Sequence, residues 1–147
     1  MWCRFVETGD ENMKDALAQG YPYVIVLSRY QGRLLLSRHG KRTTWETQGG
    51  HIEEGETPLE AARRELYEES GALAYSIRHL FDCQAGDDEE GSKGMVFFAE
   101  ITKLGPMPDS EMAQVQCFDA LPPNITYPGI TPVLYERACE MGLFGGE

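Results

Sequence analysis

Three glutamates in the middle of the chain have the spacing that brings carboxylates together on one face of a helix. Glu65, Glu68 and Glu69 stand at positions i, i+3 and i+4, which are neighbours on a helical surface. Carboxylates this close repel one another, so a bound cation would explain their placement. Mg²⁺ and Mn²⁺ prefer oxygen ligands and commonly share their sites with substrate phosphates. The spacing indicates a metal site, and a solvated acidic helix face is the simpler alternative.

A helix with clear signals at both ends carries these glutamates. Thr57, Pro58 and Glu60 form a capping-box pattern with proline at the first helical position. Gly71 stands where helices commonly end in a left-handed residue. The pattern predicts a helix that begins at Pro58 and ends near Ser70. The apolar stripe expected to face the core consists of Leu59, Ala62 and Leu66.

The rest of the chain alternates strand patterns with one further helix. Strands are predicted at 23–27, 33–38, 74–83, 95–101 and 115–118, with a short extended piece at 45–50. The final helix is predicted at 131–141, and residues 13–19 are ambiguous, with one or two helical turns at most. Strands interleaved with two helices and long connections favour an α/β sandwich around a mixed sheet.

Composition and charge limit the classes of partner. The chain has 147 residues, 13 basic and 24 acidic, and a formal net charge of −11. Such a chain is not expected to bind nucleic acid through a broad basic face or an extended footprint. No apolar run approaches the roughly 18 residues of a membrane span, and the first residues do not resemble a secretory signal. We expect one domain over residues 1–147, without a membrane partner, in the cytoplasm.

The wider spacing around the acidic helix resembles the Nudix box. Residues 50–72 fit G-x5-E-x7-R-E-U-x-E-E-x-G-U, where U is a bulky aliphatic residue. The one departure is Ala72 at the last position, which is a packing site. The approach to the box also resembles the family, with Gln48 where proline is common. The resemblance in element order extends from about Tyr21 to Pro122.

The resemblance implies a fold and a reaction. Nudix proteins have an α/β/α sandwich around a mixed β-sheet, and they hydrolyse a P–O–P bond of nucleoside diphosphate derivatives with Mg²⁺ or Mn²⁺. Carried over by position, the residues that look like metal ligands and catalytic groups are Glu65, Glu68, Glu69 and a backbone carbonyl at Gly49 or Gly50. Glu56 and Arg64 look like the pair that braces the loop against the helix. Clustered cations would neutralise the diphosphate and lower the pKa of a bound water.

Four residues outside the acidic helix are further candidates. Glu111, before a predicted strand, is one candidate for the general base; a box glutamate is the other, and an ordinary surface acid is the plain alternative. Arg38 and Arg42 lie in a basic stretch expected to contact phosphates, unless that stretch only solubilises a hairpin loop. Trp45 is expected to stack on a base, with burial in the core as the alternative.

The leading substrate class is a nucleoside triphosphate, including oxidised ones such as 8-oxo-dGTP, converted to the monophosphate and pyrophosphate. Residues 38–69 resemble MutT-like proteins that act on 8-oxo-dGTP, a similarity that does not fix the specificity. The alternatives are a non-catalytic domain that senses a nucleotide and an enzyme that removes pyrophosphate from RNA 5′ ends. The expected partner is a small nucleotide, bound by a monomer or a homodimer.

Overall fold

A computed structural model describes residues 1–144 of the chain, and these residues form eight strands and two helices. The strands are β1 (Trp2–Val6), β2 (Tyr23–Tyr30), β3 (Arg33–His39), β4 (Trp45–Glu46), β5 (Gln48–His51), β6 (Ala72–Gly86), β7 (Ser92–Leu104) and β8 (Met112–Phe118). The helices are α1 (Pro58–Ser70) and α2 (Thr131–Glu140). No helix among residues 1–144 combines the length and apolarity needed to cross a membrane.

The strands form one mixed sheet with β2 near its centre. The main order is β1-β6-β7-β2-β3-β4, while β5 pairs with β2 and β8 pairs with β3. β2 and β7 run parallel, and the other strand pairs within residues 1–144 are antiparallel. The continuous apolar run of β2 suits this place, because a strand covered on both faces needs apolar side chains on both.

The sheet separates two apolar layers, each covered by one helix. Successive side chains of a strand point to opposite faces, and β2 shows this clearly. Val26 belongs to the layer that contains Leu66 of α1, whereas the next residue, Leu27, belongs to the layer that contains Leu134 of α2. The arrangement is the α/β/α sandwich around a mixed sheet that the sequence predicted.

Helix α1 begins and ends as its sequence signals predict. The Thr57 hydroxyl accepts from the Glu60 backbone N–H at 3.1 Å, and the Thr57 N–H donates to the Glu60 carboxylate at 2.8 Å. At the other end Gly71 adopts φ 78°. The buried face differs slightly from the predicted stripe, because Ala61 is fully buried and Leu59 only partly. Small alanines let the helix lie close to the sheet.

The N-terminal part of the chain was not fully predicted. Its first residues form β1, which pairs with β6 at an edge of the sheet. Of the ambiguous residues 13–19, only 16–19 belong to a hydrogen-bonded turn, which extends to residue 20. The buried Asp82 carboxylate accepts from the Gly9 N–H and from the Tyr21 hydroxyl, both at 2.7 Å. Asp82 therefore ties this irregular segment to the sheet.

Candidate active site

Two glycines of β5 lie against the acidic face of α1. A Cβ atom on Gly50 would lie 2.6 Å from Cδ of Glu65, so only glycine leaves room for that carboxylate. The N–H of Gly49 donates to Oε1 of Glu69 at 2.8 Å. One carboxylate thus occupies the space over Gly50, and a second is held by the backbone of the neighbouring residue.

Arg64 connects the loop before α1 to the acidic face. Its Nε and Nη2 donate to the two oxygens of Glu56 at 2.7 and 3.0 Å, a bidentate pair. Nη2 also donates to the His51 carbonyl at 3.1 Å. Nη1 lies 3.3 Å from a carboxylate oxygen of Glu65 and 3.3 Å from one of Glu68. A single guanidinium therefore orders both the loop and two of the three clustered carboxylates.

Burial and mutual repulsion perturb the acidic cluster. Burial raises the pKa of Glu69 to about 8; the Gly49 N–H opposes this rise, and the charges of Glu65, Glu46 and Glu68 add to it. Burial also raises the pKa of Glu65, although the Arg64 cation acts in the opposite direction. Anionic groups are therefore costly to keep charged here without a cation.

The donor chemistry of this face fits a hard divalent cation. Among residues 1–144 no three histidine, cysteine, aspartate or glutamate side chains are already arranged as a finished metal-binding group. Glu65 and Glu68 face the Arg64 guanidinium instead. Their oxygens, those of Glu69 and the backbone carbonyls of β5 are nevertheless the ligand type that Mg²⁺ and Mn²⁺ prefer. A cation would compete with Arg64 for two of the carboxylates.

Comparison with protein families identifies this arrangement. The family model of the NUDIX domain matches residues 21–127, which include the acidic helix and most of the sheet. The chain belongs to the Nudix family. Residues 50–72 fit the Nudix box of this family. They comprise the end of β5, the loop before α1, helix α1 and the two residues after it.

Curated relatives carry the names of two related activities. The Bacillus subtilis protein YtkD, whose name gives 8-oxo-dGTP diphosphatase as a provisional activity, is 34% identical over 105 residues, or 71% of this chain and 66% of YtkD. An RNA pyrophosphohydrolase of Psychrobacter sp. is 45% identical over 56 residues, 38% of this chain and 32% of that protein. The alignments thus span just under two thirds of YtkD and about a third of the Psychrobacter protein.

Solved Nudix structures share the fold. The Bacillus subtilis pyrophosphohydrolase BsRppH, in a mutant form, has a TM-score of 0.75 and 26% identity, covering 97% of this chain and 92% of that chain. A UDP-X diphosphatase has a TM-score of 0.63 at 21% identity, covering 82% of this chain and 62% of that chain, and shows likeness of fold alone. The alternative of a nucleotide-sensing domain is not favoured by these comparisons.

The predicted general base, Glu111, contacts the basic hairpin loop that follows β3. Glu111 is on the loop between β7 and β8, with its side chain 83% exposed and Oε2 3.6 Å from Nε2 of His39. The backbone of Glu111 is fixed, because its carbonyl accepts from the Gly40 N–H at 2.9 Å.

The three predicted substrate contacts have different surroundings. Trp45 is buried, 5.1 Å from the Phe118 ring centroid in an edge-on contact, so the structure favours the core alternative for its ring. Arg38 donates to the Arg42 carbonyl at 3.0 Å and approaches Gln114, which orders the hairpin loop. The Arg42 side chain is 44% exposed, and its guanidinium forms an ion pair with the Glu46 carboxylate at 3.2 Å.

Glu46 is a site residue to which the sequence assigned no role. It is 7% exposed, and its Oε2 accepts from Arg42 at 3.2 Å and from the Thr126 hydroxyl at 2.8 Å. Its charge adds to the rise in the pKa of Glu69. In the sequence, Glu46 stands out only as a glutamate in the segment 45–50, which is predicted to be extended. No neighbouring residue indicates which face of the sheet its side chain occupies.

Proposed function

We propose that this Nudix chain hydrolyses a nucleoside triphosphate to the monophosphate and pyrophosphate, with an oxidised deoxynucleotide such as 8-oxo-dGTP as the leading substrate. The observation that carries the proposal is the half-buried carboxylate of Glu69, bound by the Gly49 N–H beside Glu65 and Glu68. Such a cluster has oxygen ligands for a divalent cation and a strong electrostatic reason to bind one.

The chain's own residues would bind and orient the reacting groups. Glu65, Glu68 and Glu69, with a backbone carbonyl at Gly49 or Gly50, would hold Mg²⁺ or Mn²⁺. When bound, such a cation supplies charge neutralisation for the diphosphate and lowers the pKa of a coordinated water. Arg64 keeps the loop and the helix in one arrangement by its bidentate bond to Glu56. This rigidity limits the reorganisation that the reaction would otherwise require.

Two sets of residues outside the acidic helix complete the proposal. Arg42, whose guanidinium is half exposed beside Glu46, is proposed to contact the substrate phosphates. The general base is either a box glutamate or Glu111, and the pH–rate profile of Glu111→Gln separates the two. A strong fall in kcat with a changed profile would assign the base to Glu111, and an unchanged profile would assign it to the box.

The similarity to YtkD supports the choice of an oxidised deoxynucleotide, because that alignment covers 71% of this chain. A second candidate, removal of pyrophosphate from RNA 5′ ends, is favoured by a separate observation. The Psychrobacter relative, which is named an RNA pyrophosphohydrolase, is 45% identical to this chain over 56 residues. The net charge of −11 is compatible with contact to a short 5′ end.

The test is turnover of a defined substrate panel with Mg²⁺. The panel contains the four dNTPs, 8-oxo-dGTP, ADP-ribose and an RNA with a 5′ triphosphate, and the phosphate products are identified. We expect release of pyrophosphate from one nucleotide and a fall of at least about a hundredfold in Glu69→Gln, since a bound metal ion contributes several kcal/mol of transition-state stabilisation.

Glu136→Gln is the matched control, because it removes the same charge from an exposed position on α2. Wild-type turnover in Glu69→Gln would contradict the metal site. Preference for the triphosphorylated RNA over every free nucleotide would replace the leading substrate with the second candidate.

A further inference from the structure

A chain of hydrogen bonds through the sheet ends at the residue that carries the central carboxylate of the site. Ser28, Ser37 and Gln48 are fully buried polar side chains on β2, β3 and β5. The Gln48 amide oxygen accepts from the Ser28 hydroxyl at 2.6 Å, and its nitrogen donates to Oγ of Ser37 at 2.9 Å. Ser37 in turn donates to the backbone carbonyl of Glu69 at 2.8 Å.

The direction of these bonds is determined by their chemistry. The Gln48 side-chain nitrogen also donates to the Leu35 carbonyl at 3.3 Å, and a carbonyl can only accept, so the amide cannot be reversed. Its oxygen must then face Ser28, whose hydroxyl donates. Because Ser37 accepts from Gln48, its own hydrogen is available for Glu69. Within residues 1–144 no buried side-chain nitrogen or oxygen lacks a partner.

The Glu69 carbonyl is one of the last four carbonyls of α1, which have no partner within the helix. Ser37 supplies that partner from the sheet. The side chain of the same residue is held by the N–H of Gly49, the residue that follows Gln48. Glu69 is therefore held at both its main chain and its carboxylate. Gln48 is related to both contacts: it precedes Gly49, which binds the carboxylate, and it donates to Ser37, which binds the carbonyl.

We propose that the Gln48–Ser37 pair is a positioning device that holds the end of the Nudix helix so that the Glu69 carboxylate stays against Gly49. An entirely apolar packing would be simpler at three fully buried positions, because burying polar groups is favourable only when each is hydrogen-bonded. The proposal rests on the proposed function, in which Glu69 holds the cation.

The test compares two alanine variants that make the same chemical change. Ser37→Ala and Ser28→Ala each remove a fully buried hydroxyl bonded to Gln48, but only Ser37 contacts Glu69. In the metal-free protein we expect the Gly49 amide to exchange with solvent at least about tenfold faster in Ser37→Ala than in Ser28→Ala. With Mg²⁺, kcat should fall about 10- to 100-fold more in Ser37→Ala, with little change in KM for the nucleotide.

A merely structural role would give a different result. Equal Gly49 exchange rates in the two variants would overturn the proposal, and so would equal losses of kcat. Ser37→Cys keeps a weak donor and should recover part of the loss. If Ser37→Ala does not fold, Gln48→Met is compared with Ser28→Ala instead. Faster solvent exchange of the Gly49 amide in Gln48→Met than in Ser28→Ala supports the proposal, and equal rates overturn it.

Failure of this inference and failure of the proposed function give separate signatures. Full activity in Glu69→Gln would contradict the proposed metal site, whatever the exchange rates of the Gly49 amide. Unchanged Gly49 exchange in Ser37→Ala, together with an inactive Glu69→Gln, would leave the metal site in place and remove only the positioning role.

Discussion

At the scale of single residues, two adjacent glycines of β5 serve different purposes. A Cβ on Gly49 would meet the backbone carbonyl of Val24 and would lie 3.1 Å from Cα of Ile25, so glycine is needed there for strand pairing. The three atoms nearest to a Cβ on Gly50 would all belong to the Glu65 carboxyl group. Gly49 is therefore required for strand pairing, whereas Gly50 leaves space for the Glu65 carboxylate.

This difference leads to a prediction about alanine substitution. Gly50→Ala should fold normally but displace the Glu65 carboxylate, lowering kcat by about tenfold or more and weakening Mg²⁺ activation. Gly49→Ala, the matched variant, should lose about 1–3 kcal/mol of unfolding free energy because the clash is with the backbone. Urea unfolding and Mg²⁺ titrations of activity check both. Loss of stability in Gly50→Ala with normal kcat per folded molecule would contradict the assignment.

At the scale of elements, the loop before α1 is joined to the helix mainly by one ion pair. Arg64 holds Glu56 through two hydrogen bonds, and the hydrogen bond from Arg64 lowers the pKa of Glu56 below its usual value of 4.5. A carboxyl whose pKa is lowered by folding stabilises the folded state above its unfolded pKa. That contribution disappears as the pH falls through the folded pKa.

Glu56→Gln should therefore change how stability depends on acid. Above about pH 5 the wild type should be more stable than the variant, and the difference should shrink as the pH falls below about 4.5 because the wild-type carboxyl becomes protonated. Urea unfolding at pH 7, 5, 4 and 3.5 measures this difference. Glu54→Gln, at an exposed position in the same loop, serves as the control. A wild-type advantage that stays constant down to pH 3.5 would show that the pair contributes no pH-dependent stability.

The elements that sequence predicts well are those whose signals are local. The capping box at Thr57, the glycine at position 71 and the spacing of the box residues all lie within one continuous segment, and helix α1 has the bounds they indicate. The apolar run of β2 likewise predicts a buried strand. Strand β1 was missed because its residues alternate weakly and are stabilised by pairing with β6, about 80 positions later in the chain.

Other features of the site depend on contacts between distant segments. The partners of Gln48 lie on β2 and β3, and the two faces of β4 are defined only once the sheet has formed. No local pattern therefore indicated that Gln48 is buried and bonded to Ser37, or that the Glu46 side chain is buried. The sequence also left the location of the Trp45 ring open, since an aromatic residue in a strand can pack in the core or stack on a base.

At the scale of the whole molecule, the acidic residues are distributed unevenly, with one dense group in and just before helix α1. Eight glutamates lie between residues 46 and 69, whereas residues 16–45 contain no acid. Self-repulsion of this kind destabilises the compact state, and a cation bound only by the folded chain should relieve it. The unfolded chain would disperse the same glutamates and bind the cation weakly.

Mg²⁺ should therefore stabilise the folded protein in the absence of any substrate. At a concentration about tenfold above the dissociation constant, mass action predicts a gain of about 1.4 kcal/mol, which corresponds to a few degrees in Tm for a chain of this size. Thermal unfolding with Mg²⁺, compared with NaCl at equal ionic strength, separates specific binding from general screening. Glu69→Gln should lose most of the Mg²⁺ effect, whereas Glu136→Gln should keep it. An equal shift in the wild type and both variants would indicate only screening of the acidic surface, and the cluster on α1 would then be the solvated helix face that its sequence also allows.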